Sequence, residues 1–160
     1  MTEENKKLLF REICNRIDYK LKVEITINDK SSPEYGQKTI GEVYGVVCPE
    51  DDDNVKYYTI ITTYGKYGSQ GNHVENVKPY LRSISTMTND ECDKLFEILD
   101  IDEKHDWLKI NDIGIIRLFS NNGKDMYQIQ EALNYLKSIH IDYCDLIRKN
   151  LALEAENNMY

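Results

Sequence analysis

Apolar residues recur at two spacings along this chain, and the switches between them mark its elements. Leu9, Phe10, Ile13, Cys14 and Ile17 recur at helical spacing and form one face. Thr2 stands before them as an N-cap, and Glu3 and Glu4 fill the first turn, where negative charge meets the positive end of the helix dipole. The period drops to two at Leu21, Val23, Ile25 and Ile27, with Lys22, Glu24 and Thr26 between them, which predicts a half-buried strand. Asn28 to Gln37 carries Asn-Asp, Ser-Ser-Pro and Gly36 and reads as a loop. Thr39 to Val47 fits a second strand, with Gly41 and Gly45 suggesting a bend. Pro49 to Asn54 is an acidic turn without the ligand spacing of an EF-hand. Val55 to Tyr64 is dense in Tyr, Thr and Ile, the strongest strand composition in the chain. Gly65 to Asn72 then reads as a loop, and His73 to Tyr80 as a further strand.

The helical period returns at Cys92, Leu95, Phe96 and Leu99, behind a capping box at Thr88-Asn-Asp-Glu91. Trp107 to Ile110 and Gly114 to Phe119 read as a short hairpin around Asn111-Asp112. Asp125 to Ile139 is helical, with Ile129, Ala132, Leu133 and Leu136 inward. A turn at His140-Ile-Asp142 leads to a short final helix over Tyr143 to Asn150, with Asp142 as its N-cap. The expected architecture is one α+β domain over residues 1–160. Residues 1–82 form an N-terminal helix with a small curved antiparallel sheet, a partial barrel. Residues 83–160 form a mostly helical half with a short hairpin.

Composition narrows the class. A chain of 160 residues buries about two thirds of its unfolded surface as a single domain. Apolar residues at 41% and charged residues at 30% argue against wholesale disorder. No apolar run approaches the roughly 20 residues that span a bilayer, and Met1-Thr-Glu-Glu-Asn-Lys-Lys lacks the apolar core of a signal peptide. A cytosolic location is expected, with no membrane partner. Cys14, Cys48, Cys92 and Cys144 are far apart and form no C-x-x-C pair, so buried thiols are expected in preference to a zinc site shared with His73, His105 or His140. The formal charge of −8 repels phosphate backbones and disfavours generic nucleic-acid binding. It leaves room for a basic protein partner or for a surface that imitates nucleic acid.

The tightest polar cluster is His140, Asp142, Tyr143 and Asp145. His140 beside a carboxylate is a potential general base, but no serine or cysteine stands in a nucleophile context and Asp142 suits a helix cap. A structural turn is the reading adopted. No catalytic residue, metal or cofactor is assigned. Lys78, Tyr80 and Arg82 alternate along a strand, and Arg82 can grip a phosphate or carboxylate with two parallel bonds. Gly65 to Asn72 is not a P-loop, because it lacks the Gly-Lys-Ser/Thr ending and joins two strands. Aromatic and polar side chains around it can stack on a base or sugar. The candidate ligand-binding set is therefore Tyr64, Lys66, Tyr67, His73, Tyr80 and Arg82. The chain has 12 tyrosines against 3 phenylalanines and 1 tryptophan. Tyrosine offers a large rigid area with a polar tip, which suits a recognition surface.

Two blocks carry a resemblance. One is Val77-Lys-Pro79-Tyr80-Leu81-Arg82 through Ser-Thr86-Met87-Thr88 to Glu91. The other runs from Leu136 through His140-Ile-Asp142-Tyr143 and Leu146-Ile147 to Leu151-Ala-Leu153-Glu154-Ala155. Together they resemble a family of small proteins encoded by phages and prophages of gut Bacteroidales. Ser83 stands where that family usually has proline, Cys144-Asp145 replaces Arg-Gly, Asn150 replaces glycine and Glu156 replaces proline. The resemblance implies an accessory role in a bacterial host and assigns no catalytic residue. The expected function is binding of a host protein, as in counter-defence. The alternatives are binding or sequestering of a small nucleotide signal, and acidic mimicry of nucleic acid.

Overall fold

The computed structural model describes residues 1–28, 30–47, 59–63, 69–100, 126–156 and 158–160. The predicted acidic turn at 49–54, the hairpin at 107–119, and Tyr57, Tyr58, Tyr64, Lys66 and Tyr67 lie outside them. The chain divides into two compact units, one of residues 1–80 with 150–153 and one of residues 81–149 with 154–160.

Helix α1 spans Glu3–Cys14, and the Thr2 hydroxyl accepts from the Asn5 amide at 3.2 Å, as an N-cap does. Its inward residues are Leu9, Phe10, Glu12 and Ile13, packed toward β2 and a short 3-10 turn at Val74–Asn76. Strands β1 (Lys22–Thr26), β2 (Lys38–Val47), β3 (Thr59–Thr63) and β4 (Ser69–His73) form an antiparallel meander. Strand β5 (Lys78–Leu81) returns to lie beside β1, pairing Val23 with Pro79 and Glu24 with Lys78. With β6 (Leu153–Glu154) the order is β4-β3-β2-β1-β5-β6. The core of the first unit lies under one face: Leu9, Ile13, Leu21, Val23, Ile25, Val43, Ile60 and Val77 are each at most 1% exposed.

In the second unit the capping box forms as its spacing predicts. The Glu91 amide donates to the Thr88 hydroxyl at 3.2 Å, and the Thr88 amide donates to the Glu91 carboxylate at 2.8 Å. Helix α2 (Asn89–Ile98) follows, and it packs on α3 (Met126–Ser138) around Ile84, Leu95, Leu99, Ala132, Leu136 and Ile141.

Four expectations are corrected. Among the described residues the sheet is open and mixed, with six strands, not a partial barrel. Closure would need β4 to turn back onto the other edge, whereas β5 and β6 extend the sheet away from it. The two glycines of β2 serve local ends. Gly45 ends a bulge that begins at Val43, and a Cβ on Gly41 would sit 2.9 Å from the Thr63 carbonyl oxygen. Second, the C-terminal half is not mostly helical, because the predicted helix at Tyr143–Asn150 is a series of turns. Asp145 and Asn150 take left-handed backbone angles, φ 63° and 57°, that a right-handed helix does not admit. Third, the strand predicted from His73 begins earlier. Ser69–His73 is β4, and the chain then makes a 3-10 turn before β5. Last, Cys14, Cys92 and Cys144 are half-buried, not fully buried, and Cys48 lies outside the described residues.

Candidate binding face of the sheet

The register assigns every strand residue to one of two faces. Val23, Ile25, Val43, Ile60, Thr62, Gln70 and Asn72 point to the packed side. The opposite side carries Lys22 and Glu24 of β1, Ile40, Glu42 and Tyr44 of β2, Ile61 of β3, His73 of β4, and Lys78 and Tyr80 of β5. Val47 joins this outer set after the bulge, opposite Thr59.

Apolar side chains are unusually open here. Ile40 is 49% exposed, Tyr44 54% and Val47 50%. Ile61 stands beside them, directly between Gly45 of β2 and Gly71 of β4. The Ile61 side chain lies over Gly45, where a Cβ would meet its Cδ1 at 3.7 Å. Charged side chains of both signs surround this row. Lys38 donates to the Glu24 carboxylate at 2.8 Å, Lys22 lies directly across from Glu42, and Lys78 donates to the Asn150 side-chain oxygen at 3.0 Å. The Lys38 ammonium is raised above its ordinary value, chiefly by the Glu24 hydrogen bond. A face of this kind is apolar at its centre with lysines and glutamates of both signs around it, on a chain of net charge −8.

The predicted ligand-binding residues do not come together as a set. Tyr64, Lys66 and Tyr67 lie outside the described residues. His73 and Tyr80 share the outer face but stand on β4 and β5, with β3, β2 and β1 between them in the sheet order. Arg82 is committed elsewhere. Its guanidinium donates to both oxygens of Glu91, at 2.7 and 2.9 Å, and to the Thr86 carbonyl at 2.9 Å. It is a brace for the α2 capping box and not a phosphate grip.

That brace has a pH signature. The Glu91 carboxyl is held below its ordinary value of 4.5, first by the Arg82 hydrogen bond, with further help from Thr88 and against partial burial. A carboxyl lowered in the folded state stabilises fully above its unfolded value, and that stability is lost as pH falls through the folded value. Glu91→Gln is therefore expected to melt below the wild-type chain at neutral pH, with the gap narrowing as both are acidified below the ordinary value of 4.5 and through the lowered folded one. Thermal melts across that range check it; a gap that persists at the acid end would contradict it.

The reactive-looking His140 and Asp142 are both buried in the turn that follows α3. His140 takes φ 60° just past α3. The Ile141 amide donates to the Leu136 carbonyl at 2.9 Å and the His140 amide to the Lys137 carbonyl at 3.1 Å, the two bonds of a Schellman motif with Ile141 and Leu136 both buried. The His140 ring is 3% exposed and stacks on Tyr160, centroids 3.7 Å apart. Asp142 accepts from the Leu146 amide at 2.9 Å and the Ile147 amide at 2.7 Å. Its carboxylate thus ties down a loop instead of capping a helix. A cavity of about 260 Å³ beside it is lined by Ser83, Asp142, Asp145, Ile147, Arg148 and Glu154. Asp145 there is already paired with Arg148. Among the described residues no group of His, Cys, Asp and Glu is arranged to hold a metal ion, and no helix is long and apolar enough to cross a membrane.

Comparison with protein-family models, with curated proteins and with solved structures found no match. The sheet face therefore carries the functional reading by its own geometry. Sequence reasoning passed over Ile40, Tyr44 and Val47. Their signal was the alternation of β2, in which Thr39, Gly41 and Val43 share one side and Ile40 and Tyr44 the other. Burial preference alone would turn the larger pair inward, but Gly41 has to face the crowded side because a Cβ there would meet the Thr63 backbone.

Proposed function

We propose that this chain is a non-enzymatic accessory protein of phage or prophage origin that works by binding a host protein, and that the outer sheet face is its docking surface. The observation that carries the reading is the exposed row Ile40, Tyr44 and Val47 on a face rimmed by charges of both signs. Exposed apolar surface rimmed by polar groups marks interaction sites, and tyrosine is enriched at their centres. The engagement of Arg82 with Glu91 occupies one of the two cations, with Lys66, that the nucleotide reading calls on, and so favours a protein partner. The phage context rests on the resemblance of the Val77–Glu91 and Leu136–Ala155 blocks. Affinity capture from a bacterial lysate by the wild-type chain and by an Ile40→Asp/Tyr44→Asp variant tests the proposal.

A further inference from the structure

The exposed row on β2 has a charge in the middle of it. Ile40, Glu42 and Tyr44 follow one another on the outer side of the strand. Ile40 is 49% and Tyr44 54% exposed, and Glu42 between them is half-buried. The other charged groups of this face are engaged. Lys38 and Glu24 hold each other at 2.8 Å, Lys78 holds the Asn150 side-chain oxygen at 3.0 Å, and Lys22 and His73 each have an interaction of their own. The Glu42 carboxylate has no hydrogen bond or ion pair among the described residues. Lys22 is its cross-strand neighbour by backbone register, yet no ion pair joins the two.

Water serves that carboxylate while the face is bare. A partner that packs on Ile40 and Tyr44 takes the water away, because Glu42 stands between them. Burying a charge without a counter-charge carries a penalty of the same order as the gain from two apolar anchors. A purely apolar partner therefore gains little here, and an acidic one is repelled. A cation removes the penalty, and arginine suits the place best. Its planar guanidinium gives a carboxylate two parallel bonds, is more weakly hydrated than an ammonium, and stacks on an aromatic ring such as that of Tyr44. The long-range field acts in the same direction, since a chain of formal charge −8 draws basic surfaces toward it.

We infer, resting on the docking role proposed for the outer face, that its partner is a protein segment that sets an arginine against Glu42 and apolar side chains against Ile40 and Tyr44. The two apolar anchors supply affinity and Glu42 supplies selection. A segment with aspartate or glutamate in the arginine's place puts two carboxylates under one interface and is rejected.

The probe is a library of random displayed peptides selected on the full wild-type chain. Clones that bind Ile40→Asp/Tyr44→Asp equally well sit elsewhere and are set aside. Those that remain are expected to carry an arginine flanked by apolar residues. Made as synthetic peptides, they are expected to bind Glu42→Gln about thirtyfold or more weakly, the usual result of removing one partner of a covered charge pair. Exchanging the peptide's arginine for glutamine is expected to cost as much, and it tests the same bond on the unaltered chain. Selection repeated on Glu42→Arg is expected to return aspartate or glutamate in the arginine's place. Thermal melts of both Glu42 variants are expected to match the wild-type chain, since the side chain is half-buried and bonds to no described residue. Face-dependent peptides that carry no cation, or that bind Glu42→Gln as tightly as the wild-type chain, overturn the inference and leave the docking face standing. A selection in which no peptide depends on Ile40 and Tyr44 overturns the docking face and this inference with it.

Discussion

Arg16→Met is expected to cost the fold about 3–5 kcal/mol, the usual result of leaving one half of a buried ion pair alone. Arg16 is 1% exposed and Glu12 3%, one turn apart on the inward side of the first helix and the turn that follows it. The guanidinium donates to the Glu12 carboxylate at 2.6 Å and to the Glu12 carbonyl at 3.0 Å. Taking Glu12 away leaves a buried guanidinium without its carboxylate, and taking Arg16 away leaves the buried Glu12 carboxylate the longer contact with the exposed Arg11, at 3.6 Å. Removing both is different. Glu12→Leu/Arg16→Met keeps apolar volume and buries no charge, so it is expected to recover most of the loss. Denaturant unfolding of the two single variants and the double one checks this. A double variant no more stable than either single would contradict the account.

Asp142→Ala is expected to cost about 2–4 kcal/mol, because bonds to a charged acceptor are worth roughly 1.5–3 kcal/mol each and do not add fully. The carboxylate is 5% exposed and accepts from the amides of Leu146 and Ile147, and Leu146 itself is fully buried. Asp142→Asn keeps one acceptor and is expected to fall between. The local reading is hydrogen exchange. Amides of Leu146 and Ile147 are expected to lose protection first, before those of α2 and α3. Unchanged protection at those two amides would show that the carboxylate does not hold the loop.

What the sequence made legible was local chemistry. The Thr2 cap and the Thr88–Glu91 box need only residues within one turn, and both form. The period-two run at Lys22–Thr26 and the helical face at Leu9 and Ile13 likewise depend on near neighbours. The order of strands did not follow, because the placing of β5 beside β1 is decided by packing between residues more than 50 positions apart, such as Val23 and Pro79. Strand β4 was hidden by its composition. Ser, Gly and Asn are poor strand formers, and the strand is held by ladder bonds and the buried Gln70–Asn72–Thr62 amides instead of propensity. The final helix failed for a related reason. Asp145 and Asn150 take the left-handed conformation without the glycine that normally announces it. The same gap affected the site. Lys78, Tyr80 and Arg82 alternate in sequence, but the strand ends at Leu81 and Arg82 turns to Glu91.

The measurement that bears most directly on the central claim is the capture comparison at the outer sheet face. Ile40 and Tyr44 are about half exposed, so aspartate at both is expected to leave the melting temperature close to that of the wild-type chain. Buried interface anchors typically carry 2 kcal/mol or more each, so the variant is expected to lose its partner by roughly a hundredfold or more. The account predicts a host protein enriched on the wild-type chain and absent from the folded variant. The same protein retained equally by both, or none enriched by the wild-type chain over an unrelated acidic control, would contradict it.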